Sequence, residues 1–150
     1  MRPQSGTRLI TAYTAVLDLL TAQLVTVGFE VIDGPRAAQN LPNDVLLLAT
    51  GGDIGMTMTQ ARAGLGARRD ESFTLRAVLS TWSGDTDLGV RRERIEAALN
   101  VLDQLTTDRT LFTGVLDDLR LGEDFGMEQQ QTTDGAVIEV VLTLVGRILR

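Results

Sequence analysis

Leu9, Tyr13, Val16, Leu20, Leu24 and Val27 recur at steps of three or four residues, with Ile10 and Leu17 beside them. That spacing draws one apolar stripe along a helix from about Thr7 to Val27, stopped before Gly28. A stripe of this kind needs a sheet or a second helix to cover it. "FEVIDGP" (29–35) then predicts a short strand ended by an Asp-Gly-Pro turn, and "DVLLLAT" (44–50) is a continuous apolar run of strand length, as expected of a strand covered on both sides. In "ESFTLRAVLSTW" (71–82) the period is two: Phe73, Leu75, Ala77 and Leu79 share one face, while Thr74, Arg76, Ser80 and Trp82 share the other. Val78 interrupts the polar side, so part of that face is expected to be covered as well.

The next segment, "STWSGDTDLGVRRERIEAAL" (80–99), turns at Gly84 and changes period. Leu88, Ile95, Ala98, Leu99, Leu102 and Leu105 form a second helical stripe. Asp85 and Asp87 stand where the free N–H groups and the positive dipole end of that helix favour a carboxylate, so both are candidate N-caps. The alternative reading, an acid or metal role, lacks partner residues. Arg91, Arg92, Glu93, Arg94 and Glu96 are expected on the solvent side, with Asp87–Arg91 and Arg92–Glu96 at the spacing that pairs on a helix surface.

Beyond the "TTDRTLFTG" connector, Leu119, Leu121, Phe125 and Met127 alternate with Arg120, Gly122, Asp124, Gly126 and Glu128, as in one strand. "TTDG" (132–135) supplies a hairpin turn. On the returning strand Ile138, Val140, Leu142, Leu144 and Ile148 face one way and Val137, Glu139, Val141, Thr143, Val145 and Arg147 the other. This order predicts an α+β fold: a mixed or antiparallel sheet of about five strands, with two amphipathic helices packed on one face. Residues 51–70 break the pattern with five glycines, three arginines and few bulky apolar residues. They are expected to form either a surface loop or an arm that orders against a neighbouring subunit, for instance as a β-hairpin.

Composition narrows the chemistry. The 150 residues fit one domain, 1–150, and no second composition regime interrupts them. With neither cysteine nor histidine, the chain has no disulfide, no thiolate or Ser-His-Asp catalysis and no Cys/His zinc site. All 14 basic residues are arginine, which removes a Schiff-base lysine and a phosphate-loop lysine. The net charge of −6 disfavours general binding to a nucleic-acid backbone. Thr11, Tyr13, Thr14, Asp18, Thr21 and Gln23 interrupt the first helix, so neither a signal peptide nor a membrane span is expected, and the chain is expected in a cytoplasm. Asp117, Asp118, Glu123, Asp124 and Glu128 form an acidic cluster. Strict alternation puts Asp118, Asp124 and Glu128 on one face and Asp117 and Glu123 on the other, which favours a solvated surface over a metal site. No catalytic residue, metal or cofactor is expected.

Taken together, the helix running into "GFEVIDGP", then "DVLLLAT", the "TWSGDTD" segment opening an arginine-rich helix, "RTLFTGV" and the final hairpin resemble the tail-terminator proteins of long, non-contractile-tailed phages, over roughly Leu9 to Leu149. The resemblance implies a small subunit that forms a six-membered ring on the head-proximal end of a tail tube, within the virion after assembly in the host cytoplasm. Such a ring stops tube polymerisation and presents a surface to the neck or connector protein of the head. Its implied partners are other copies of itself, the tail tube protein and that connector; DNA passes through the lumen without specific binding. On this reading Arg62, Arg68 and Arg69 are candidates for the subunit seam, and Asp117, Asp118, Glu123, Asp124 and Glu128 for an acidic lumen that repels phosphate. A neck adaptor or stopper is the alternative of the same class. A Mg²⁺ enzyme using carboxylates alone is the alternative of another class, and it requires at least three converging acids.

Overall fold

The computed structural model describes residues 7–33, 42–48, 56–62, 69–105, 115–123 and 125–148. Helix α1 spans Thr7–Leu24, followed by a 3₁₀ turn at Val25–Val27. Gly28 ends it in the left-handed region at φ 81°, a conformation that costs glycine little, and its N–H returns to the Val25 carbonyl. Seven strands follow around helix α2 (Leu88–Gln104): β1 (Glu30–Asp33), β2 (Asp44–Leu48), β3 (Met56–Arg62), β4 (Arg69–Ser83), β5 (Leu116–Leu121), β6 (Gly126–Thr132) and β7 (Gly135–Ile148). The fold is α+β, and the described residues form one mixed sheet of seven strands.

Two long strands organise that sheet. β4 and β7 pair antiparallel from Ser72↔Arg147 to Ser83↔Ala136, and each is flanked on its other side by two short strands. β2 pairs with the later half of β4 and β3 with the earlier half. β6 flanks the start of β7 and β5 its end. β1 joins β2 in parallel as the only parallel pair among the described strands. The returning strand β7 therefore sits in the middle of the sheet. β4 and β5 run parallel with β7 between them, so β4–α2–β5 is a split crossover whose central place is filled last in the chain.

Seven strands replace the expected five for two reasons. Within 51–70, Met56–Arg62 pairs residue for residue with Arg69–Leu75, so this stretch contributes one arm of a β-hairpin and lengthens β4. The expected single strand through Leu119 and Met127 is two strands. Leu121 and Gly122 stay opposite Leu144 and Thr143, whereas Gly126 stands opposite Val141, so the chain bulges outward between β5 and β6. Phe125 lies in that bulge and is exposed, and Met127 just beyond it is exposed too, contrary to the strand face expected of both.

Both helices cover one face of the sheet. Ala12, Val16, Leu20 and Leu24 of α1 and Ile95, Ala98 and Leu102 of α2 are buried against Phe73, Leu75, Ala77 and Leu79 of β4 and Ile138, Val140, Leu142 and Leu144 of β7. This is the face that the period-two reading assigns to the core. Gly146 belongs to it for a steric reason: a Cβ there would lie 2.5 Å from Phe73 Cζ and 2.7 Å from the Asp118 carbonyl. Gly135, at φ 156°, is needed at the hairpin because a Cβ would meet the Ser83 carbonyl oxygen at 2.2 Å. By length and composition, Arg8–Val27 is apolar enough to cross a membrane, with mean hydropathy 1.5, which the sequence reading did not anticipate. Four of its residues nevertheless form the core stripe just described.

Candidate assembly surfaces

The opening segment of α2 holds a buried polar network. Asp87 is the N-cap, its Oδ1 accepting from the Val90 N–H at 3.3 Å, while Asp85 Oδ1 accepts from the Asp87 N–H at 3.2 Å and so shapes the turn before it. Arg91 is buried, not solvent-facing as expected, and it does not pair with Asp87. Its Nη1 donates to Thr81 Oγ1 at 2.8 Å and lies 3.6 Å from Asp44 Oδ1. Asp44 also accepts from Thr81 Oγ1 at 2.5 Å and from Arg94 Nη2 at 2.8 Å. The Arg94 guanidinium stands 5.3 Å from the centre of the Phe29 ring. Among the described residues Arg92 pairs with Gln129 Oε1 at 2.7 Å and not with Glu96.

This network has a sequence signal. Arg91 lies on the Ile95–Ala98–Leu102 stripe, one turn before it, and Asp44 opens an otherwise apolar strand. A charged residue on a core stripe calls for a buried counter-ion. The network ties α2 to β2 and β4, while Arg92–Gln129 and the bond from Gln131 Nε2 to the Thr86 carbonyl (2.6 Å) tie β6 to the start of α2.

Among the described residues, no element covers the face of the sheet opposite the helices. Trp82 (44 % exposed) and Val141 (43 %) lie on it with half-buried Leu47, Val78, Val137 and Val145, and Arg76 stands among them. Along one margin Arg147 Nη2 meets Asp117 at 2.8 Å and Arg120 Nη1 meets Asp118 at 2.9 Å. A register shift between Leu116 and Asp118 breaks the alternation at Asp117, so Asp117 pairs with Arg147 of the open face and does not point away from it as expected. These two acids are thus locally matched by arginine.

Glu128 is different: it stands directly across from Glu139, with no ion pair to either among the described residues. Both border a recess of about 320 Å³ with Gln129, Gln130 and Val137. Like charges directly opposite on paired strands repel, so this end of the hairpin carries an uncompensated negative field. Glu123 is exposed, and Asp124 lies outside the described residues. Among the described residues no three acidic side chains converge as a metal site would require. Of the seam candidates, Arg62 and Arg69 are backbone register partners where β3 meets β4, and Arg68 lies outside the described residues.

β6 has seven residues, all exposed, and its edge away from β7 is unpaired among the described strands. An open strand edge bearing charge and glutamine is protected from indiscriminate pairing yet available to a specific partner.

No protein-family model matches the chain, and no curated protein is significantly similar to it. A solved structure does share its fold: a chain in the virion of a native gene transfer agent particle superposes with a TM-score of 0.57 at 15 % identity, covering 96 % of this chain and 98 % of that one.

Proposed function

We propose that this protein is a structural subunit of a phage-type virion and, within it, the tail terminator: a ring on the head-proximal end of the tail tube that stops polymerisation and receives the head connector. One observation carries the reading. The fold is matched over almost the whole length of both chains by a component of a virion particle. The surfaces described above support the same role. An open sheet face with exposed Trp82 and Val141 and an unpaired β6 edge are features of a subunit that buries more surface in an assembly than it does alone.

In this role the chain works by assembly and not by catalysis. The β3–β4 hairpin, with Arg62 and Arg69 at its described end, reaches toward the neighbouring subunit. The lumen is lined by the Glu128–Glu139 end of the β6–β7 hairpin, with Asp134 at the turn; its negative field keeps passing DNA from adhering. Asp117 and Asp118, being paired with arginine, contribute little to that field.

The test is native mass spectrometry over a concentration series, followed by addition of cognate tail tubes and negative-stain imaging. A closed hexamer with a central hole, found at one end of each tube, is the expected result. Protein recovered on filled heads without tails would make it the neck adaptor instead, and a chain that neither self-associates nor binds tubes would overturn the reading.

A further inference from the structure

The two helices lie on the same face of the sheet, yet their outer surfaces differ. Exposed positions of α2 include Arg92, Glu93, Glu96 and Asp103. Those of α1 and the 3₁₀ turn after it are Ile10 (68 % exposed), Thr11, Thr14, Thr21, Ala22, Val25 (66 %) and Thr26, with Asp18 as the single charge among them. Only 22 % of the apolar Arg8–Val27 stretch is buried within the protein. A helix surface of this length that is half apolar and carries one charge is costly to leave in water.

Across the molecule, the part of the open sheet face around Arg76 carries the opposite charge; Glu139 and Glu128, two residue pairs further along the same face, lie beyond that part. Arg120 and Arg147 are each paired with an aspartate, but Arg76 has no partner among the described residues and stands beside Val78 and Thr143 in the middle of the apolar patch. Asp18 likewise has none among the described residues. The dimensions agree as well. An 18-residue helix is about 27 Å long, and the open-face run of β4 from Ser72 to Trp82 spans about 33 Å.

We infer that the outer face of α1 in one copy packs on the open sheet face of the next copy, with Asp18 and Arg76 paired at the centre of the contact. The occupant is a second copy of this chain because the two centres are complementary in sign: Asp18 and Arg76 each lack a partner among the described residues, and the described residues next to Arg76 on its face, Thr74, Val78, Val141, Thr143 and Val145, are neutral. They lie on opposite sides of the protomer, so the contact is heterologous: every copy offers one of each, and repetition closes a ring or runs on as a filament. This names the seam of the ring proposed above and rests on that reading.

Charge reversal tests it. Asp18→Arg and Arg76→Asp each set like charges against each other, and each is expected to weaken self-association roughly 100-fold or more. The double variant, which restores opposite charges, returns the wild-type assembly. Because the chain has no cysteine, mixing Asp18→Cys and Arg76→Cys chains with a short bis-maleimide, which spans the side-chain length of an Asp–Arg pair where a disulfide does not, provides a second measurement, and linked dimers should form in higher yield in the mixture than with either chain alone. Single variants that assemble like the wild type, or a mixture that cross-links no more than either chain alone, would overturn the seam and leave the ring standing. A wild-type chain that stays monomeric even with tail tubes would overturn both.

Discussion

Asp44→Ala removes the one carboxylate that two arginines share. In the native chain Asp44 Oδ1 accepts from Thr81 and faces Arg91, while Oδ2 accepts from Arg94 Nη2 at 2.8 Å and Nε at 3.2 Å. After the substitution Arg94, whose side chain is a third exposed, can turn to water. Arg91 cannot. It retains Thr81 Oγ1 and the Trp82 carbonyl, at 2.8 and 3.4 Å, and its buried Nε already has no hydrogen-bond partner. Removing one partner of a buried ion pair costs about 3–5 kcal/mol, and relaxation of Arg94 puts this case at the low end, about 3 kcal/mol. At about 2–4 °C per kcal/mol for a chain of this size, the midpoint of thermal unfolding should fall by about 6–12 °C. Urea unfolding followed by far-ultraviolet circular dichroism measures the loss directly. The companion variant Arg91→Met should cost less, because Asp44 keeps Arg94, and Asp44→Ala combined with Arg91→Met should recover much of the loss. A single Asp44→Ala variant within about 1 kcal/mol of wild type would refute the buried-pair argument. So would a double variant as unstable as that single one.

Gly146→Ala drives a methyl group into Phe73 and the Asp118 backbone, and a loss of about 1–3 kcal/mol in urea unfolding is expected. Asp87→Ala should cost about 1 kcal/mol by the same measurement, since it frees the Val90 N–H at the start of α2. Glu128→Lys turns a repulsive cross-strand pair into an attractive one and should stabilise the hairpin by about 0.2–1 kcal/mol, an effect that fades with added salt; no gain at low salt would count against the facing of Glu128 and Glu139.

The periodicities carried the core. Phe73, Leu75, Ala77 and Leu79, and Ile138 through Leu144 at every second position, point to the helices as their spacing requires, because a one-residue slip would expose the whole set. Alternation failed where the backbone departs from regular pairing. The register shift at Asp117 and the bulge around Phe125 each change which way later side chains point, and neither is written in the local pattern of apolar residues. Arg91 departs from the expectation for another reason. Charge suggests exposure, whereas position on the stripe decides burial and the counter-ion comes from a strand far away in sequence. The assembly surfaces were least legible, since which face stays open depends on where both helices pack.

The central pair of strands has a consequence for backbone motion. Along most of their length β4 and β7 are hydrogen-bonded on both sides, whereas β1, β3, β5 and β6 each hold to the sheet through one neighbour. Amide protons of the two long strands should therefore exchange with solvent only on global unfolding, and those of the four short ones through local detachment. Such a protein can loosen its margins, where new neighbours must be engaged, without releasing the pair that keeps it folded.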